Sequence, residues 1–117
     1  MLFRVDTVSS EPIFEQIAHQ VRVAVSRGDL VPGDKLPPAR QVAAALEVNL
    51  HTVLHAYQIL RDEGHIELRR GRGALVTAHS EVVPESVLSA IDQLVLATAD
   101  AQLPSQTVLA LVKEALK

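Results

Sequence analysis

The sequence predicts a mainly α-helical protein with one small β-hairpin, ordered as three helices, the hairpin and two further helices. Three observations carry that expectation. Apolar residues recur at three- and four-residue spacing in five separate segments, the mark of helices with one buried stripe. Glycine, proline and asparagine punctuate the chain between those segments. After the third segment, two short strand-like runs flank a glycine-containing turn, the pattern of a hairpin.

Taken in order, Phe3–Thr7 alternates apolar and polar residues, which suits a short strand or an extended arm. Pro12 marks a first helical turn, with Ser9 or Ser10 expected to cap it. Ile13, Ile17, Val21 and Val25, with Phe14, Ala18 and Ala24, form one stripe on a helix ending at Gly28, a residue that readily takes the left-handed conformation. Asp29–Leu30–Val31–Pro32–Gly33–Asp34 is turn chemistry. A short second helix follows Pro37–Pro38, with Val42, Ala43 and Leu46 inside. Asn49 then caps a third helix, which buries Val53, Ala56, Tyr57 and Leu60 and stops at Gly64. Two helices joined by a short turn make a helix-turn-helix, and the hairpin of residues 66–77 completes a winged helix-turn-helix. Residues 78–84 read as a link to two more helices. The first carries Val87, Ile91, Leu94 and Val95 on one side; the second, opened by Pro104 and Ser105, carries Val108, Leu111, Val112, Ala115 and Leu116. The expected domains are therefore residues 1–78, the winged helix-turn-helix, and 79–117, a two-helix dimerisation element and potential effector region.

Composition bounds the function. The 117 residues are 48% hydrophobic, ordinary for a folded protein, and the core must be aliphatic because only Phe3, Phe14 and Tyr57 are aromatic. The absence of cysteine excludes disulfides and thiolate metal sites. No apolar run approaches the roughly 20 residues of a membrane span and no secretory signal is visible, so cytoplasmic residence without membrane association is expected. The net charge of −3 at first argues against nucleic acid. Its distribution reverses that: residues 1–80 hold nine Lys/Arg and nine Asp/Glu, whereas 81–117 hold two lysines against five acids. The acidity belongs to the tail, and a basic face can survive on the first part.

A helix entering the major groove presents its N-terminal side chains to base edges and phosphates. At that end of the third helix stand Asn49, His51, Thr52 and His55. Asn can pair with adenine, Thr can meet a phosphate or a thymine methyl, and His can reach base or backbone. The hairpin tip carries Arg69, Arg70 and Arg72 interleaved with Gly71 and Gly73, so that charge can approach the duplex closely. Arg40 and Lys35 complete a positive rim. Double-stranded DNA is the expected partner. His51 and His55, four apart, make a poor metal site without a third ligand, so no metal and no cofactor are expected. No nucleophile–base pair, phosphate loop or carboxylate dyad stands out, so no enzyme is expected. The competing reading is a winged-helix protein-interaction module without specific DNA binding. It would predict an apolar patch on the exposed face of the third helix, where the sequence puts His51, Thr52 and His55.

Residues 12–76 resemble the DNA-binding domain of GntR-family regulators nearly throughout. The resemblance is carried by Gly28–Asp29–Leu30, by Pro32–Gly33–Asp34–Lys35–Leu36–Pro37, by Glu63–Gly64–His65–Ile66 and by Gly71–Arg72–Gly73. Asn49–Leu50–His51–Thr52–Val53 with Ala56–Tyr57 is similar to the Asn-Pro-Asn-Thr-Val…Ala-Tyr pattern of the YtrA subfamily, whose members have only two helices after the wing. The resemblance implies a homodimeric regulator, expected as a repressor, that binds an inverted-repeat operator. It also implies genes beside transport operons, and a tail that dimerises through Val87, Ile91, Leu94, Val95, Val108, Leu111 and Val112. With so little chain after the wing, an effector is expected to bind between subunits rather than inside one. Two departures stand out. Many GntR proteins have arginines that touch the operator at the positions of Leu50 and Leu54, and Pro38–Ala39 replaces the usual Ser-Glu before Arg40.

Overall fold

Residues 1–78 and 83–117 are described in the computed structural model of the chain. The elements are α1 (Ile13–Ser26), α2 (Ala39–Leu46), α3 (Leu50–Asp62), β1 (Ile66–Arg69), β2 (Gly73–Val76), α4 (Glu85–Ala101) and α5 (Ser105–Ala115). The expected order of three helices, hairpin and two helices is the observed one. Contacts divide the chain into Met1–Val83 and Pro84–Lys117, five residues beyond the expected boundary. Residues 79–82 of the expected link lie outside the described residues.

The stripe of α1 is buried at Ile17, Ala18, Val21 and Val25, with Ile13 and Phe14 packed on the edge of the core. Neither serine caps this helix. Its N-cap is Pro12, whose carbonyl accepts from the Glu15 and Gln16 amides at 3.1 Å each, while Ser9 Oγ accepts from the Glu11 amide. Proline has no N–H to satisfy and its φ of −56° is preset for a helix start, so no hydroxyl is required.

The N-terminal segment is an arm rather than a strand, and α1 holds it in an unexpected way. Gln16 and Gln20, one turn apart, use their amides as backbone mimics. Gln20 Oε1 accepts from the Arg4 amide at 2.9 Å and Gln20 Nε2 donates to the Arg4 carbonyl; Gln16 does the same for Asp6 at 2.8 and 3.0 Å. The roughly 6 Å rise between residues four apart on a helix matches the roughly 6.6 Å between residues two apart in an extended chain. Phe3, on the same arm, is thereby seated in the core.

Four helices end alike. After α1 the Asp29 amide donates back to the Ala24 carbonyl; after α2, Val48 to Ala43; after α3, His65 to Leu60; after α4, Leu103 to Thr98. Each closure needs one residue with positive φ. Gly28 and Gly64 supply it where glycine was expected, but Glu47 and Gln102 supply it at φ 56° without that freedom. The α2 closure is what makes the turn to α3 so short.

The segment Asp29–Asp34 does turn, with Pro32 and Gly33 (φ 93°) at the centre and the Asp34 amide donating to the Val31 carbonyl at 3.0 Å. It then does something not anticipated. Gly33 and Leu36 donate to the Val76 and Ala74 carbonyls and Val76 donates to Asp34, so residues 33–36 run along the outer edge of β2. The hairpin pairs Ile66 with Val76 through Arg69 with Gly73.

The core of the first unit is aliphatic: Ile17, Val21, Val25, Val53, Leu60 and Ile66 are its largest fully enclosed side chains. Ala18 and Ala56 are also completely enclosed, leaving no space at either position for a larger side chain. On the outside, Arg22 of α1 pairs with Glu15 at 2.7 Å and grips both carboxylate oxygens of Glu63, the residue closing α3, at 2.8 and 3.0 Å.

Hydrogen bonds from Arg22 hold the Glu63 carboxyl below the ordinary glutamate range, outweighing the opposing effect of partial burial. A carboxylate depressed in the folded state stabilises fully above its unfolded pKa of about 4.3, and that contribution fades as pH falls through the lower folded value. The pair is partly exposed, so it contributes about 0.5–1 kcal/mol. Glu63→Gln is expected to lower the melting midpoint near pH 7 by about 2–6 °C, with the difference from wild type closing as the pH is taken below about 4. A pH-independent difference would rule out the ion pair as its source. Glu47→Gly should raise the midpoint, because it relieves left-handed strain of about 1 kcal/mol at the cost of some added freedom in the unfolded chain. A thermal melt showing a fall would contradict that account.

Candidate nucleic-acid interface

The exposed side of α3 follows from its buried one. Val53, Ala56, Tyr57 and Leu60 face the core, which turns His51, Leu54, His55 and Gln58 outward. Asn49 stands at the N-cap with extended backbone (φ −65°, ψ 138°), and its Oδ1 accepts from the His51 amide at 2.8 Å. The cap uses the oxygen of that side chain and leaves its amide nitrogen out of the bond. His51 is exposed and Thr52 half-buried. The His55 ring is exposed at its rim but stacks on Phe14 of α1, with centroids 4.3 Å apart and planes 29° from parallel. That contact draws it to the α1 side of the helix.

Lys35 is exposed on the strip that pairs with β2, and Arg40 is the exposed second residue of α2. The start of α2 has Pro38 as N-cap and no side-chain cap. What fixes it is Tyr57, whose buried hydroxyl donates to the Pro37 carbonyl at 2.6 Å. Burial pushes the pKa of that hydroxyl up, so it stays a donor.

At the hairpin tip the Arg72 amide donates to the Arg69 carbonyl at 3.0 Å, closing a turn over Arg70 and Gly71. Gly71 has φ 80°, the conformation the third position of such a turn requires. Arg70 and Arg72 are exposed and take part in no ion pair among the described residues; the same holds for Lys35 and Arg40. Arg69 differs: its Nε is 2.8 Å from Glu67 Oε2 on the same strand.

The structure brings three of the expected pieces to one place. The start of α2, the outer flank of α3 and the hairpin border a common groove, lined by Pro37, Ala39, Leu54, Tyr57, Leu68 and Arg70 among others. Leu68 was not among the expected site residues, and Leu54 entered the sequence reading only as a departure from the family's operator-touching arginine. The available signal was that Leu54 falls out of register with the 53–56–57–60 stripe.

A sequence profile of the bacterial regulatory proteins of the gntR family matches residues 13–76. The chain belongs to the GntR family. Relatives within it include a regulator of the helix-turn-helix type, YhcF of Bacillus subtilis, 40% identical over 77 residues, or 66% of this chain and 64% of the relative. The transcriptional repressor YtrA of the same organism is 40% identical over 80 residues, or 68% of this chain and 62% of that one. The chain thus spans somewhat under two thirds of the length of these GntR relatives. The solved GntR-family transcription factor YtrA from Sulfolobus acidocaldarius superposes with a TM-score of 0.61 at 32% identity, covering 97% of this chain and 96% of that one. These likenesses place the chain in the YtrA branch of the GntR family. Among the described residues, no helix is long and apolar enough to cross a membrane.

Proposed function

We propose that this GntR-family protein is a homodimeric, sequence-specific DNA-binding repressor that reads an inverted repeat in the cytoplasm. The observation that carries the reading is the shared groove: an α3 with a capped, polar N-terminal end lies beside a hairpin tip bearing exposed arginines. In such an arrangement the helix reads the major groove while the hairpin meets the backbone or the adjacent minor groove. Asn49 and His51 are the base-reading candidates. Thr52 suits a phosphate, and His55, held by Phe14, suits the backbone on the α1 side. Lys35, Arg40, Arg70 and Arg72 supply charge, with Gly71 letting the tip approach closely. Arg69, already paired with Glu67, contributes less. Repression is supported by the likeness to YtrA of Bacillus subtilis, a transcriptional repressor.

Dimerisation is supported by the tail. Neither α4 nor α5 has a buried residue, and Val87, Ile91, Leu94, Val95 and Leu111 are 40–63% exposed. Val108 and Val112 are half-buried on α5. Helices of this length gain most of their stability from covering an apolar face. A second copy of the tail would cover both, and a two-fold dimer presents the same α3 to two symmetric half-sites. An effector would then bind between the subunits.

Selection from a pool of random duplexes, with sequencing of the bound fraction, tests the reading: an inverted repeat should emerge. Its affinity should fall steeply with salt, and Arg70→Gln and Arg72→Gln should each reduce the log–log slope by about 0.9 per subunit. No enrichment, with binding lost at modest salt, would overturn sequence-specific regulation. Leu94→Asp should leave the first unit folded but yield monomers by light scattering; an unchanged dimer would remove the tail as its interface.

A further inference from the structure

Leu54 is 37% exposed on α3, next to Val53, which is fully buried. It does not stand alone. With Tyr57, Pro37, Ala39, Ala74 and Leu68, itself 40% exposed, it walls a largely apolar groove of about 390 Å³. Arg69 and Arg70 sit on its hairpin rim. The walls are held in place: Tyr57 is anchored to Pro37 by its 2.6 Å hydrogen bond, and Ala74 is paired with both Leu68 and Leu36.

We infer that Leu54, backed by this groove, receives the C5-methyl of a thymine, so that each subunit reads one T·A pair by apolar contact. The inference rests on α3 being the recognition helix. Charge complementarity chooses the occupant. Arg40 and Lys35 stand next to the Pro37–Ala39 wall in the chain, and Arg70 and Arg72 stand at the hairpin, so the molecule drawn across the groove is a polyanion. On the major-groove edges of a duplex, the thymine methyl is the apolar group on offer. Leu54 also lies about one turn along the helix from His51, so an apolar contact and a polar one can fall on neighbouring base pairs. An apolar patch on this face is what a protein-docking module would display, but the exposed cations Lys35, Arg40, Arg70 and Arg72, in no ion pair among the described residues, suit a nucleic acid.

Deoxyuridine isolates the one group in question, because it differs from thymidine only by that methyl. The full-length protein is titrated, by fluorescence anisotropy, with the inverted repeat recovered from the random pool and with duplexes in which each thymidine in turn is replaced by deoxyuridine. One position per half-site should weaken binding about fourfold, the transfer free energy of a single methyl group. In Leu54→Ala that position should become indifferent to the methyl, whereas Leu54→Met should retain the sensitivity. A flat scan in wild type, or a half-site without thymine, overturns the inference while leaving the regulator reading intact. So does a Leu54→Ala protein that still senses the methyl, or one that weakens on every duplex equally, which would put the sugar–phosphate strand in the groove. Failure to recover any repeat overturns both.

Discussion

One face of α3 is the surface on which the rest of the first unit is built. α1, α2 and β1 all pack against that helix, and Val53, Ala56 and Leu60 are entirely enclosed between them. A helix wrapped from three directions has one flank left, and that flank is where a ligand can be met. The candidate interface is thus the remainder after burial, and its orientation is as rigid as the core behind it. Enclosed alanines at positions 18 and 56 make the arrangement intolerant of larger side chains. Tyr57 extends the constraint outward: its ring belongs to the core while its hydroxyl fixes Pro37, and with it the start of α2 and the place of Arg40.

The elements were legible in the sequence wherever an apolar period and a breaker coincided. α1 with Gly28 and α3 with Asn49 and Gly64 are the clearest instances, and the hairpin with Gly71 follows the same logic. What escaped was built from backbone groups and general-purpose side chains. Nothing in the composition marks Glu47 or Gln102 as left-handed; the returning amides of Val48 and Leu103 hold them there. Nothing marks Gln16 and Gln20 as partners for an extended arm, since glutamine on a helix is ordinarily solvated. The strip 33–36 against β2 is too short to show a strand period.

The site divides in the same way. The exposed placement of Arg40, Asn49, His51, Arg70 and Arg72 was legible because it depends on position within an element, which the sequence supplies. His55 and Arg69 depend on what lies alongside, and their neighbours proved to be Phe14 and Glu67. Charge shows the effect most plainly. Counting cations overstates the basic face, because Arg22, Arg61 and Arg69 are matched to acids by the fold. The exposed cations without an ion pair among the described residues include Lys35 and Arg40 by the α2 start and Arg70 and Arg72 at the hairpin tip, with Arg4 and Arg27 lying away from both.

On the proposed reading, the small number of base-reading groups constrains how selective one subunit can be. Phosphate contacts attract every duplex alike, so on that reading discrimination falls to Asn49, His51 and the apolar flank at Leu54. A good bidentate base contact discriminates by about 1–3 kcal/mol. With the Asn49 oxygen engaged in the cap, Asn49 and His51 offer single hydrogen bonds at the lower end of that range, and the Leu54 methyl contact adds about 0.8 kcal/mol. Specific regulators exceed their non-specific binding by about 4–10 kcal/mol. A single subunit with three such groups falls at or below the bottom of that range. Two subunits fixed by a dyad add their discrimination on one stretch of DNA, and the total moves into it. On the proposed reading, the exposed apolar helices of the tail and the small reading surface of α3 answer one requirement: a domain this compact would read DNA selectively by reading it twice.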